Sequence, residues 1–570
     1  MDARRTLRLA STLLGLALAL GGSAVPAAEP EPTYDVVIRG ARVLDGMGNP
    51  AVFADLAIRD GRIAALGVIP GRGRQEVAAA GLWLAPGFID MMDQSGGVLP
   101  RNGLAENKVR QGVTTAIGGE GGLPVPAEDA ADYFAGLEAS GISLNFGSYY
   151  SAAQARVAVV GAGDGAASDD QIARMQELLD VALRAGAMGM TTALIYPPSS
   201  FQGTPELIEL ARVPAHYGAL YASHIRDEGR GLVGAVEEAI AIGERAGLPV
   251  EVFHLKSAYR PGWGLLMHEA VAAVERARAR GVDVAADLYP YTAGGTGLEA
   301  TVPSWVFADG WEVARQRLAD AAVRERLKGE LVTGVEGWWN IVEASGGWEN
   351  VVLVNARNPE NARFERRSIA EIASELGKDP ADAAWDLVLE GDGRVMAIYH
   401  MMSERDIRTA LAQPWTSIGS DAGAALVAGE VDLLGLPHPR SYGTFPRVIA
   451  RYVREMGVLT LEEAVRKMTS WPATRLRLID RGAIREGMWA DLVLFDFERI
   501  EDRATWEDPV AFPEGIRAVW VNGVAVVEDG RHTGARPGHV IYGPGRWLAE
   551  EGRPPFAATA PAAESGGRSR

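Results

Sequence analysis

Eight histidines are spread over 570 residues, and two of them close apolar runs one after the other. His224 ends Ala219-Leu-Tyr-Ala-Ser-His224, and His254 ends Val250-Glu-Val-Phe-His254. In a parallel barrel both would lie at C-terminal strand ends, where catalytic side chains gather, and imidazoles on neighbouring strands can share one metal ion. A satisfied, hydrogen-bonded histidine is the plainer alternative for either one alone. A third run, Ile418-Gly419-Ser420-Asp421, delivers a carboxylate into a Gly/Ala-rich turn. Near a cation such a group can accept a proton from activated water, although Asp also caps helices well. The chain has no cysteine, so thiolate ligands, disulfides, a cysteine nucleophile and a lipoprotein anchor are excluded.

These residues need elements that bring distant strand ends together. Between residues 86 and 477, short apolar runs alternate with stretches of helical period. Gln171–Arg184 carries Ile172, Met175, Leu178, Leu179 and Leu183 on one stripe. Gly231–Ala246 and His268–Arg280 repeat the pattern, each followed by a Gly and an apolar run, Leu248–Phe253 and Val282–Leu288. This rhythm indicates βα units, and the segment has room for a (β/α)8 TIM-like barrel. No phosphate-binding glycine loop supports a doubly wound sheet instead. Alternating apolar residues at 33–85 and 478–545 read as short strands, which predicts a small β-sandwich domain built from both termini. Residues 303–345 break the rhythm with Trp and charge; a helix is expected over Trp311–Leu327, in a lid-like insertion on a βα loop.

A net charge of −18 argues against nucleic acid as a partner. Hydrophobic content of 47% with 23% charged residues suits an ordinary globular enzyme. Residues 1–28 read as an export signal: Arg4, Arg5 and Arg8, the apolar run Leu9–Leu20, then Val25-Pro-Ala-Ala28. The run is shorter than the about 20 residues that span a bilayer, so no stable membrane insertion is expected once the signal is removed. A secreted or periplasmic location follows, and Arg4-Arg5 resembles a twin-arginine signal. The tail 553–570 has the Pro/Ala/Gly/Ser composition of disorder.

Taken together, several segments resemble the amidohydrolase superfamily, and within it the N-acyl-D-amino-acid deacylase (D-aminoacylase) branch. Val36-Val-Ile-Arg-Gly-Ala-Arg-Val-Leu-Asp-Gly and Leu84-Ala-Pro-Gly-Phe-Ile-Asp90 are similar to the superfamily's entry into its barrel. Ser223-His224-Ile-Arg-Asp-Glu-Gly, His254-Leu-Lys256, Asp287-Leu-Tyr289-Pro-Tyr, Gly419-Ser-Asp421 and His438-Pro-Arg440-Ser-Tyr-Gly-Thr-Phe-Pro-Arg447 are similar to this branch. The resemblance runs from about Tyr34 to about Ile541. It implies that His224 and His254 are zinc ligands and that Asp421 is the general base. It also implies that Lys256, Tyr289 and Arg440 grip the carboxylate of an N-acyl amino acid, a task that suits an Arg fork and a Lys.

The sequence departs from the family at the first strand. Phe88-Ile-Asp90-Met91-Met92-Asp93-Gln94 puts Met92 and Gln94 where the superfamily carries a His-x-His pair. A thioether and a neutral amide are poor partners for zinc. The branch's cysteine ligand is missing as well, but Glu120, in Ile117-Gly-Gly-Glu120-Gly-Gly, falls within about one residue of its place. The strand Ala185–Tyr196 carries no lysine for a carboxylated bridge between two metals. The expectation is therefore one zinc per chain, held by Glu120, His224 and His254, with a D-amino-acid amide as substrate. Two other readings stay open: cyclic amides or dipeptides as substrates, and a periplasmic binding protein that has lost catalysis. A homo-oligomer is compatible with everything above.

Overall fold

The alternation of strand-like and helical stretches becomes, in the computed structural model, a closed barrel. The structure describes residues 33–393, 395–425 and 437–557, so the signal and most of the tail lie outside the described residues. Among these, eight parallel barrel strands follow in order: β1 (Phe88–Asp93), β2 (Val113–Gly118), β3 (Asn145–Ser148), β4 (Gly189–Ala193), β5 (Leu220–His224), β6 (Val250–Val252), β7 (Val284–Leu288) and β8 (Thr416–Ile418). β3 runs on into Tyr150–Ser151, which pairs with β4. β7 pairs with β8, and an Asp93–Ala422 bridge returns the sheet to β1. Ile89, Met91, Ile117, Tyr149, Met188, Ala222 and Phe253, on or beside the first six strands, form one cluster, as a packed barrel interior requires.

The helices obey the sequence rules. The stripe expected from Gln171 becomes α1 (Asp169–Ala185), whose start is fixed by a capping box of Ser168 and Gln171. Leu232–Ala246 ends on Gly247 in the left-handed conformation, the usual helix stop. The single helix expected over Trp311–Leu327 is instead two, Trp311–Ala319 and Ala321–Thr333. Asp320 adopts an extended conformation between them and its side chain accepts the amides of Ala322 and Val323, so it caps the second. Helical periodicity alone does not reveal such a break.

The connection from β7 to β8 holds these two helices and much more. Strands Gly294–Gly297, Val351–Asn355 and Met396–Tyr399 form an antiparallel sheet, with the last of them central. Leu353, Ile372, Trp385 and Tyr399 pack in a core of their own beneath it. At the other end, strands from residues 34–86 and 492–532 form one nine-stranded sheet, joined where Trp83–Pro86 pairs with Leu492–Phe495. Ile38, Leu56, Leu492 and Trp520, from both terminal segments, share one apolar core. No described helix is long and apolar enough to cross a membrane.

A buried charge cluster locks β1 to the turn after β8. Lys108 is fully buried, with its Nζ 2.8 Å from Asp90 and 2.7 Å from Asp93, both also fully buried. It also donates to Ser420 Oγ at 2.6 Å and to the Ala422 carbonyl. Ser420 in turn donates its amide and its hydroxyl to Asp90. Replacing Lys108 by Met leaves two buried carboxylates unpaired, which typically costs about 3–5 kcal/mol. A clearly lower denaturation midpoint is the expected result for Lys108→Met.

Candidate active site

Four barrel strands deliver the chemical groups to one end of the barrel. Glu120 follows β2 after Gly119, whose φ of 97° and close approach to Ser148 and Tyr149 leave no room for a Cβ. His224 is the last residue of β5. His254 lies just past β6 with a φ of 37°, held there as its backbone amide donates to Asp287 Oδ1 at 2.8 Å. Asp421 follows β8, also with a positive φ of 48°. Gly419 before it must be glycine: a Cβ would stand 2.7 Å from Asp287 and from Met92. Backbone strain of this kind concentrates where side chains must be aimed.

The two histidines and Glu120 converge. Glu120 Oε1 lies 2.7 Å from His224 Nδ1 and 3.2 Å from His254 Nε2, and one ligand atom from each residue falls within 4.8 Å of the others. The imidazoles meet edge to face with centroids 4.4 Å apart. Two imidazoles and a carboxylate are the donor set of a catalytic zinc with an open place. The other nitrogen of His224 has no hydrogen-bond partner within the protein. Burial pushes the Glu120 carboxyl upward, but hydrogen bonds with His224 and His254 outweigh it and hold the group well below the usual range.

Glu228 joins this cluster although its position in the sequence does not single it out. Its Oε1 lies 3.0 Å from His254 Nδ1 and 2.5 Å from Lys256 Nζ, and its other oxygen lies 3.7 Å from His224 Nε2. A carboxylate behind a ligating histidine fixes the ring's orientation and tautomer. Burial opposes its charge, but Lys256 and the two histidines prevail, so Glu228 stays ionised. Its one mark there is that Glu228 follows His224 by four residues inside the quoted Ser-His-Ile-Arg-Asp-Glu-Gly run. For His254, burial and the Lys256 charge act downward, yet Glu228 and the Glu120 hydrogen bond lift it to about 9.

The three residues assigned to carboxylate binding also come together. The Tyr289 ring contacts both cations, with Arg440 Cζ 4.6 Å and Lys256 Nζ 5.5 Å from its centroid. Arg440 Nη1 approaches Asp421 Oδ2 to 2.7 Å, but without an aligned hydrogen bond. His438 anchors this arginine: it accepts the Arg440 amide at 3.0 Å while its other nitrogen meets the Ala293 carbonyl. Lys256, Tyr289 and Arg440 line one cavity of about 390 Å³ together with Glu120, Glu228, His224, His254 and Asp421.

Met92 and Gln94 part company. Met92 is buried against Gly419, whereas Gln94 reaches into the cavity. The Gln94 amide donates to Glu120 Oε2 at 2.7 Å and approaches Asp421 Oδ1 at 3.4 Å. A neutral donor thus bridges Glu120 and Asp421.

Comparison with known proteins identifies the family. A model of the amidohydrolase family matches residues 357–527. The chain is 34% identical over 531 residues to a D-aminoacylase of Alcaligenes xylosoxydans xylosoxydans, covering 89% of this chain and 97% of the relative. A solved D-aminoacylase superposes with a TM-score of 0.75 at 32% identity, over 89% of this chain and 99% of that one. The N-acyl-D-glutamate deacylase of Bordetella bronchiseptica, solved with zinc and a phosphonate mimic of the tetrahedral intermediate, gives 0.74 at 32% identity and the same coverage. On its sequence, its barrel and its extent of match, this chain belongs to the D-aminoacylase family of amidohydrolases.

Proposed function

We propose that the protein hydrolyses N-acyl-D-amino acids with one zinc ion per chain, held by Glu120, His224 and His254. The observation that carries this reading is the meeting of that donor set with Asp421 on one side and the Lys256, Tyr289 and Arg440 clamp on the other. Zinc bound there would supply a Lewis acid and a water acidic near neutral pH. Asp421 takes the proton as water adds to the amide carbon, then passes it to the leaving nitrogen as the C–N bond breaks. The products are a carboxylate and a free amino acid. Lys256 and Arg440 hold the substrate carboxylate, with Tyr289 keeping both cations in place. The D configuration rests on the relatives, and zinc on the Bordetella enzyme.

A single metal is favoured by Met92 and Gln94. Met92 is enclosed by packing, and a second cation beside Asp421 would have to displace the Gln94 amide from both carboxylates. One solved D-aminoacylase with a binuclear centre is described in terms of one-metal activation and second-metal attenuation. We also propose export through residues 1–28 to the periplasm or beyond; N-terminal sequencing of the protein from a periplasmic fraction tests it.

Elemental analysis combined with a substrate panel tests the main reading. About one zinc per chain is expected, with hydrolysis of N-acyl-D-amino acids well above their L-isomers, cyclic imides and dipeptides. Two zinc ions per chain at full activity would refute the stoichiometry; a preference for cyclic imides would refute the substrate. The raised His254 adds a pH prediction. Zinc must displace its proton below about pH 9, so apparent affinity should rise about tenfold per pH unit up to there and then level off. Competition with a chelator of known affinity measures this.

A further inference from the structure

The reaction cavity does not end at the zinc-ligand cluster. A second cavity of about 380 Å³ adjoins it, and the two share Ile195, Tyr196, Glu299 and Trp339 as common wall. Beyond that neck the lining is mostly apolar, with Pro197, Pro198, Phe307, Trp311 and Trp338 among the contributors. The loop after β4 supplies one side and the β7–β8 connection the other. Its one cation, Arg226, is already paired with Glu238 through two contacts of 2.9 Å. Nothing cationic on this wall is therefore left to receive an anionic group.

The direction of the neck identifies what enters it. Tyr196 stands edge-on to His224, with centroids 5.3 Å apart, and its hydroxyl is fixed 2.7 Å from Thr296 Oγ1. Tyr289, which carries the carboxylate clamp, stands beside His254 instead, 6.3 Å away. The neck thus opens beside His224 and the clamp beside His254, and the two meet at Gly295–Thr296, where Arg440 reaches the Gly295 carbonyl and Tyr196 the Thr296 hydroxyl. In an N-acyl amino acid the carboxylate and the side chain both branch from Cα, on the nitrogen side of the carbonyl. The acyl group departs from the other side. With the carboxylate held at Tyr289 and the carbonyl at the histidines, the acyl group points through the neck.

We propose that the second cavity is an acyl-chain site, and that the natural substrates carry a medium-to-long aliphatic acyl group rather than acetyl. This deepens the deacylase reading and rests on it. The volume is about a dozen times the ~30 Å³ share of one water molecule, where an acetyl methyl would leave nearly all of it empty. An apolar chain in an apolar cavity gains binding from each methylene removed from water.

The test uses the zinc-loaded protein and one amino acid, D-alanine, so that only the acyl group varies. The kcat/KM for N-octanoyl-D-alanine should exceed that for N-acetyl-D-alanine at least tenfold. Ala300→Phe, which fills the cavity beyond the neck, should collapse the octanoyl-to-acetyl ratio towards one while thermal melting stays that of a folded protein. Calorimetry with octanoate reads the cavity without catalysis, and binding should be seen with the wild type and lost in Ala300→Phe. Equal or better turnover of the acetyl substrate, or a rate governed by the amino-acid side chain (N-acetyl-D-phenylalanine far above N-acetyl-D-alanine), overturns the proposal. If no N-acyl-D-amino acid is cleaved, the deacylase reading fails separately; octanoate binding then decides the cavity alone, and its absence overturns the acyl site too.

Discussion

Asp421→Asn should lower kcat/KM by about a thousandfold, the middle of the range that a positioned general base contributes. The amide keeps the size of the carboxylate and its place after β8, where the Asp421 amide is held by the Met92 carbonyl at 2.9 Å. What it loses is the ability to take a proton from water. It also loses its attraction for Arg440, 2.7 Å away, so the arginine is freer to bind the substrate carboxylate. The expected pattern is therefore a collapsed kcat with an equal or lower KM, and zinc content unchanged. Full activity in this variant would remove Asp421 from the mechanism.

Removing a ligand should act differently. His254→Ala deletes a proposed donor and leaves Glu228 and Lys256 with only each other as close partners on that side. Zinc retained after gel filtration should fall to a small fraction of the wild-type content, and hydrolysis with it. Glu120→Gln is the finer case, since it keeps the shape but not the charge between the imidazoles. It should weaken zinc binding about 10–100-fold or more, as loss of a charged donor exceeds loss of an outer partner, with partial rescue by excess zinc. Zinc bound normally in both variants would mean that the metal sits elsewhere.

How much of this was legible in the sequence depends on the kind of signal. Strand ends carrying His224, His254 and Asp421 could be read because an apolar run followed by a polar residue is a local pattern. Barrel architecture followed from the repeated alternation of such runs with helices. Glu228 was harder: its role depends on a loop folding back so that a residue four positions on lies beside both His254 and Lys256. Gln94 was legible only as a lost ligand. That its amide joins Glu120 to Asp421 depends on contacts across 26 and 327 positions of chain, which no local spacing encodes. The break at Asp320 was hidden because Leu327 is the one buried residue of the second helix, so no apolar stripe marks where one helix stops and the next starts.

Lys108 holds Asp90 on the first barrel strand and the Ser420–Ala422 turn after the last. Asp421 sits in the middle of that turn, so the proposed base is presented only when the two ends of the barrel sheet have met. Closure of the cylinder and readiness to catalyse are thereby a single event. During refolding, the return of activity should coincide with the slow, long-range joining of first and last strands and not with the earlier appearance of helices. A partly assembled chain could bury much of its apolar surface and hold its histidines in place, yet it would still be chemically silent.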